Sequence, residues 1–194
     1  DPAQVQEVLA QVSRETGVAL TANAEGETLT VTAVGVQAHA STPDEGKNAI
    51  TATLEALCRL DLAHGEAETT VRRLHSCFPY GDNRGKALGI AMEDRESGVL
   101  TLTLSLLTLT QTGFTAVFDS RDPLCATKEN TVDVVERTFA GYGWSCEGSL
   151  RPAHAVDADS DFIRTLLSAY ETYSGKKGYC EAIGGGTYVH EIPG

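Results

Sequence analysis

One imidazole stands out by its setting. His39 falls in the run Ala38-His39-Ala40-Ser41-Thr42-Pro43-Asp44-Glu45-Gly46-Lys47-Asn48-Ala49-Ile50, between an alternating apolar segment and an amphipathic one, where a fold presents side chains to ligands. Taken alone, a histidine at a strand end is more often a satisfied polar residue than a working group. Arg121, in Phe118-Asp119-Ser120-Arg121-Asp122-Pro123, carries a planar fork of fixed donors; its plainest use is a surface ion pair with Asp119 or Asp122. Gly184, Gly185 and Gly186, followed by Thr187, either make a tight turn or let backbone N–H groups approach a ligand closely. His64, His75 and His154 read as solvated, the acids Glu93, Asp94 and Glu96 as turn chemistry, and Asn48 as a structural brace for the helix after His39. Ser41 lies two residues from His39, but adjacency is no evidence for the geometry of a nucleophilic triad.

The elements that must position these groups follow from periodicity. Pro2 at a first helical position, with Val5, Val8, Leu9 and Val12 on one stripe and Gly17 as the stop, predicts a short helix that Asp1 would cap. Val18 to Asn23 and Glu27 to Val36 read as strands, the second with Leu29, Val31 and Ala33 on one face and threonines on the other. Thr42, Pro43 and Glu45 resemble a capping box that Gly46 interrupts, so the next helix is expected from about Asn48 to Ala63, with Ile50, Leu54, Leu57 and Cys58 as its buried stripe. Residues 64–86 read as a linker with one short helix between Glu66 and Cys77. Three strand-like runs follow, Ala87 to Glu93, Gly98 to Thr110 and Gly113 to Asp119. A helix through Val132, Val135, Phe139 and Tyr142 comes next, then a strand from Trp144 to Leu150. Phe162 to Tyr173 predicts a last helix ending near Gly175, and Tyr179 to Ile183 a short strand. The fold class expected is α+β, antiparallel sheets with helices on one face in two-layer sandwiches.

Composition limits what this chain can do. At 194 residues with 41% hydrophobic content it can bury one good core or two small ones. No apolar run reaches the roughly 18 residues a membrane helix needs, and a net charge of -12 argues against nucleic acid and anionic membranes as partners. Five cysteines with no Cys-x-x-Cys pair fit a reducing cytoplasm better than a disulfide framework or a structural zinc site. The start, Asp1-Pro2-Ala3-Gln4, has neither an initiator methionine nor signal-peptide character, and the expectation is a chain cut from a longer one.

Three stretches taken in order resemble a known family. The Ala-His-Ala-Ser-x-Pro-x-x-Gly-x-Asn-Ala run is similar to the start of the lid domain in the di-zinc exopeptidases that include aminoacylase and carboxypeptidase G. Phe118 to Pro123 looks like that family's arginine strand, and Gly184 to Tyr188 like its glycine-rich substrate loop. Order and spacing agree with the dipeptidase V, or Xaa-His dipeptidase, group across nearly the whole chain. The resemblance implies a lid over residues 1–154, a duplicated ferredoxin-like arrangement with lobes at about 1–63 and 87–151, and a partial catalytic-domain segment over 155–194. It implies zinc-dependent hydrolysis of dipeptides with a free C-terminal carboxylate, by a full-length, cytoplasmic and monomeric parent holding two zinc ions. Its partners would be the dipeptide and the catalytic domain of the same chain.

Within that resemblance, His39 would donate a hydrogen bond to the oxygen that turns negative during attack on the peptide carbonyl, and Arg121 would grip the carboxylate. Gly184, Gly185, Gly186 and Thr187 would line the substrate pocket. None of the residues present matches a metal ligand: the family's His-x-Asp and Glu-Glu segments are missing, and its last zinc histidine is expected beyond Gly194 rather than at His190. The piece alone is therefore expected to be inactive and to bind no zinc. Arg-Asp-Pro replaces the Arg-Tyr-Pro of many relatives and sets an acid beside the guanidinium, a departure that bears on carboxylate binding. Two other readings stay open: a free-standing small-molecule-binding or dimerisation module, and the lid of an aminoacylase-like or desuccinylase-like amidohydrolase, which would need a shorter lid and a dimer.

Overall fold

Residues 2–26 and 28–185 are described by a computed structural model. Helix α1 (Pro2–Thr16) opens on proline, whose missing N–H is one a first turn leaves unpaired anyway, and it buries Leu9 and Val12. Gly17 follows at φ 69°, the left-handed conformation that ends many helices and strains any residue with a Cβ. β1 (Ala19–Glu25) and β2 (Thr28–Val34) pair antiparallel, from Ala19 opposite Val34 to Glu25 opposite Thr28. The capping residue expected of Asp1 lies outside the described residues.

Helix α2 (Ala49–Arg59) divides two cores. Ala52 and Ala56, one turn apart, meet Leu9, Val12, Val18 and Leu20 of α1 and β1, and their small side chains permit close approach. Leu54 lies on the other side, in a cluster with Val71, Leu74, Phe78, Leu102 and Phe139. The one short helix expected within residues 64–86 is α3 (Glu66–Cys77), but the segment is more than a linker, since with Phe78 it supplies four buried side chains, Val71, Leu74, Cys77 and Phe78, to that cluster. Arg59 bridges Glu15 of α1 at 2.6 Å and Glu55 at 2.7 Å, and Glu55 also pairs with His75 of α3. His75 is thus a half-buried bridge between helices, not the solvated residue its sequence setting predicts.

The expected strand over Ala87 to Glu93 is mostly a turn. Asp82 accepts hydrogen bonds from the N–H groups of Arg84, Lys86 and Ala87, and Ile90 N–H donates to the Gly85 carbonyl, so these amides are committed away from any ladder. Leu88 and Ile90 are buried as anchors. A short hairpin follows, β3 (Glu93–Asp94) with β4 (Gly98–Val99), then the longer β5 (Thr101–Leu109) with β6 (Phe114–Arg121). Phe114 and Phe118, on one face of β6, join a ring cluster with Phe139 of α4 (Val132–Gly141) and with Trp144. Phe114 and Trp144 lie edge to face with centroids 4.6 Å apart, and Phe118 and Phe139 at 6.0 Å, packing that fixes β6 along its length.

Trp144 to Leu150 forms no strand. Trp144 reaches the ring cluster through a turn at Gly143, and among the described residues no neighbouring strand offers this segment a ladder. Tyr179 to Ile183 is likewise without regular structure, with Tyr179 and Ile183 exposed. Between them α5 (Asp161–Ser174) is well made locally: Ser160 accepts from Ile163 N–H, and Gly175 closes the helix at φ 67°. Yet none of its residues is buried, and its apolar stripe, Phe162, Leu166, Tyr170 and Tyr173, faces solvent, Tyr173 at 91% exposure. The α+β class with antiparallel pairing agrees with the sequence reading. No helix among the described residues is long and apolar enough to cross a membrane.

Candidate substrate-binding site

His39 sits in a loop whose neck is closed by reciprocal hydrogen bonds between Val36 and Lys47, N–H to carbonyl, at 3.0 and 2.8 Å. Gly46 is required there by space, since a Cβ would lie 2.8 Å from both the Ala38 Cβ and the Val36 carbonyl oxygen. Inside the loop Thr42 N–H donates to the His39 carbonyl and a 3-10 turn spans Pro43–Glu45. Thr42 does not use its side chain as a cap; Asn48 does, accepting from Ile50 and Thr51 N–H at the start of α2. The opposite flank is tied down by Asp44, whose carboxylate accepts from Asn83 Nδ2 at 2.8 Å and pairs with Arg84.

Arg121 ends β6, and its cross-strand partner is Thr101. Thr101 is only 4% exposed and donates its hydroxyl to the Ala40 carbonyl at 2.7 Å. One buried threonine therefore joins the histidine loop to the arginine strand across 61 residues of sequence. Gly184 completes the assembly. A Cβ there would stand 2.6 Å from the Ser41 Cβ and 3.6 Å from the Arg121 Cβ, so the glycine backbone lies against both. Arg121, Asp122, Ser41, Gly184 and Gly185 all line one open cleft of about 2120 Å³. That volume exceeds the roughly 300–1,000 Å³ of a finished small-molecule pocket, so the cleft is wider than one small ligand fills.

The polar groups around Arg121 are unevenly satisfied. Its Nε lies 2.9 Å from Asp119 Oδ1, yet the N–H does not aim at that oxygen, and both atoms, with Asp122 Oδ1 and Thr103 Oγ1, are buried without a hydrogen-bond partner. The contact is an ion pair by distance and not a formed hydrogen bond. Burial pushes the Asp122 carboxyl above the ordinary carboxylate range, while the Ser120 hydroxyl, donating at 3.0 Å, works against that shift. The segment after Arg121 is held by the β3–β4 turn: Asp94 accepts from Ser97 and from Cys125 N–H, and Ser97 Oγ accepts from Leu124 N–H. Those donors, Ser97 foremost, hold the Asp94 carboxyl down at about 2.

Of the sequence-predicted site residues, Arg121, Gly184 and Gly185 share the cleft, whereas His39 is exposed and outside its lining. Gly186 and Thr187 lie outside the described residues, as does His190. His64 and His154 are exposed, and His154 borders the cleft. Sequence reasoning missed Thr101, Arg84 and Ser41 as parts of the site; Thr101 is one threonine among many in an alternating strand, and only its partner across the fold marks it out. No group of three or more His, Cys, Asp or Glu side chains among the described residues could hold a metal ion.

The sequence pattern of the peptidase dimerisation domain, from the M20 peptidases, matches residues 26–137, which include both His39 and Arg121. YtjP of Bacillus subtilis (strain 168), which bears a provisional dipeptidase name, is 32% identical over 161 residues, covering 81% of this chain and 34% of YtjP. The Beta-Ala-Xaa dipeptidase of Lactobacillus delbrueckii subsp. lactis is 29% identical over 163 residues, covering 84% of this chain and 34% of that enzyme. The chain thus spans about a third of the length of the curated relatives it matches. Its histidine loop, arginine strand and α+β core belong to one pattern, and the chain is a member of the M20 peptidase dimerisation-domain family.

Proposed function

We propose that this chain is the lid portion of a dipeptide-hydrolysing peptidase, in which Arg121 receives the substrate's C-terminal carboxylate and His39 donates to the oxygen of the carbonyl under attack. The observation that carries the reading is the convergence of Ser41 and Arg121 on Gly184, which brings three sequence-distant motifs together at one place. The Arg121 side chain is about one-third exposed beside the cleft, which leaves its guanidinium fork within reach of an incoming carboxylate. A donor aimed at developing charge in a closed site lowers the barrier by about 3 kcal/mol. Gly184 and Gly185 present backbone without side chains beside the same cleft, and Gly186 and Thr187 extend that loop in sequence.

The two zinc ions implied by the resemblance find no ligand set among the described residues, so each step assigned here belongs to this chain's own side chains. The hydrolytic centre would lie elsewhere in a longer protein. Exposure of the α5 stripe supports this, because Phe162, Leu166 and Tyr170 form the face of a helix meant to be covered. Residues 155–194 are then the part of the catalytic domain that this chain carries, and 1–154 the lid. Five unpaired cysteines favour a reducing cytoplasm. We keep a monomeric parent as the expectation, although the family is named for dimerisation; sedimentation of the full-length protein decides between them.

The test is hydrolysis of a panel of dipeptides, with Xaa-His and β-Ala-Xaa members, by the full-length protein in zinc-containing buffer. His39→Ala is expected to lower kcat about a hundredfold with little change in KM, and Arg121→Met to raise KM at least tenfold. Activity on dipeptides that persists equally on C-terminal amides would remove the carboxylate role. Failure to cleave any member would return the chain to the class of binding or dimerisation modules.

A further inference from the structure

The hydrogen bonds at His39 carry a further consequence, which rests on the donor role proposed above. Ser41 N–H points at His39 Nδ1 from 3.2 Å, and Ser41 Oγ lies 2.8 Å from the same nitrogen. A backbone amide only donates, so Nδ1 is the acceptor and carries no proton. The Ser41 hydroxyl, sharing that nitrogen, then also donates. A neutral imidazole accepting at Nδ1 holds its single proton on Nε2.

The loop that supplies these donors is itself anchored on both sides. Thr101 holds the Ala40 carbonyl between His39 and Ser41, and Asn83 with Arg84 holds Asp44 just beyond. Gly184 lies close against Ser41, where a Cβ on the glycine would stand 2.6 Å from the Ser41 Cβ.

We infer that Ser41 is a positioning residue that selects the Nε2–H tautomer of His39, so that the imidazole presents a hydrogen-bond donor to the substrate and acts in its neutral form. Ser41 is not a nucleophile in this arrangement. Its effect on turnover passes entirely through His39, and the two residues form one unit. The same contact explains how an exposed histidine keeps a defined orientation without burial: two donors from a single residue grip one ring nitrogen.

Two measurements test this. Long-range 15N–1H spectra of the labelled 194-residue chain above neutral pH should show His39 Nδ1 unprotonated and Nε2 protonated. In Ser41→Ala the two nitrogen shifts should move toward each other as the second tautomer gains population. A protonated Nδ1 in the unaltered chain, or shifts unmoved in Ser41→Ala, overturns the inference, and neither result depends on any enzymatic activity. In the full-length protein, Ser41→Ala should lower kcat about tenfold with KM unchanged, and should have no further effect in a His39→Ala background. A loss of equal size in that background makes Ser41 merely structural, and covalent labelling of Ser41 by a fluorophosphonate makes it a nucleophile; either sinks the proposal. Absence of dipeptide hydrolysis with the expected spectra would count against the functional reading and leave the tautomer assignment standing.

Discussion

Replacing Asn48 with alanine tests whether one side chain couples the helix after the histidine loop to the strand pair that ends in Arg121. Its Oδ1 accepts from Ile50 N–H at 2.9 Å and Thr51 N–H at 3.1 Å, and its Nδ2 donates to the Leu104 carbonyl at 2.8 Å. That carbonyl sits where β5 slips register between Leu104 and Leu106, so the bulge leaves it facing the helix. Loss of an N-cap costs about 1 kcal/mol. Leaving the carbonyl of a residue only 2% exposed without its partner adds about 1–2 kcal/mol. Asn48→Ala should therefore destabilise by about 2–3 kcal/mol, a fall in Tm of about 4–12 °C for a chain of this size. Asn48→Ser keeps a capping oxygen but cannot reach Leu104, and should lose about half as much. Urea unfolding followed by circular dichroism at pH 7, with m values compared, reads both variants. A loss below 0.5 kcal/mol for the alanine variant, or equal losses for serine and alanine, would refute this apportionment.

Two further outcomes follow from the geometry around the cleft. Gly184→Ala places a Cβ 2.6 Å from the Ser41 Cβ, so the loop must shift; turnover by the full-length protein should fall at least tenfold while its Tm changes by no more than about 2 °C, and unchanged turnover would mean the two segments do not pack as described. Asp122 has its folded pKa raised by burial, so its favourable contribution is complete below the unfolded value of about 3.9 and is lost as pH rises through the folded value. Asp122→Asn should accordingly raise Tm more at pH 7 than at pH 3.5, and the same Tm difference at both pH values would show that ionisation of Asp122 carries no stability cost.

Local elements were legible because local rules set them. Pro2 and Gly17 bracket α1, the Leu29, Val31 and Ala33 alternation makes β2, and Ser160 and Gly175 bracket α5, all by interactions within a few residues. Strand expectations failed where amides had been claimed by something nearby. Asp82 takes the N–H groups of Arg84, Lys86 and Ala87, and Trp144 is held by ring contacts to Phe114 and Phe139 with no strand beside it among the described residues. A strand needs a partner, and alternation in one segment says nothing about whether another lies alongside.

By itself the sequence determined the α+β class, the ends of α1 and α5 though not that of α2, which stops at Arg59 short of the expected Ala63, and which residue types stood ready to bind: an imidazole after a strand, a guanidinium fork at the end of another, and a run of glycine. Tertiary structure alone decided how they meet. Thr101 reaches the Ala40 carbonyl because β5 and β6 pair in one register, and Gly184 lies against Ser41 and Arg121 because the chain returns there after more than sixty further residues. The same holds for the proton on His39: residue types name a ring with two nitrogens, and the two donors of Ser41, held in place by the folded loop, assign which nitrogen keeps it. Hydrogen-bond direction is a property of positions in space, and sequence spacing does not contain it.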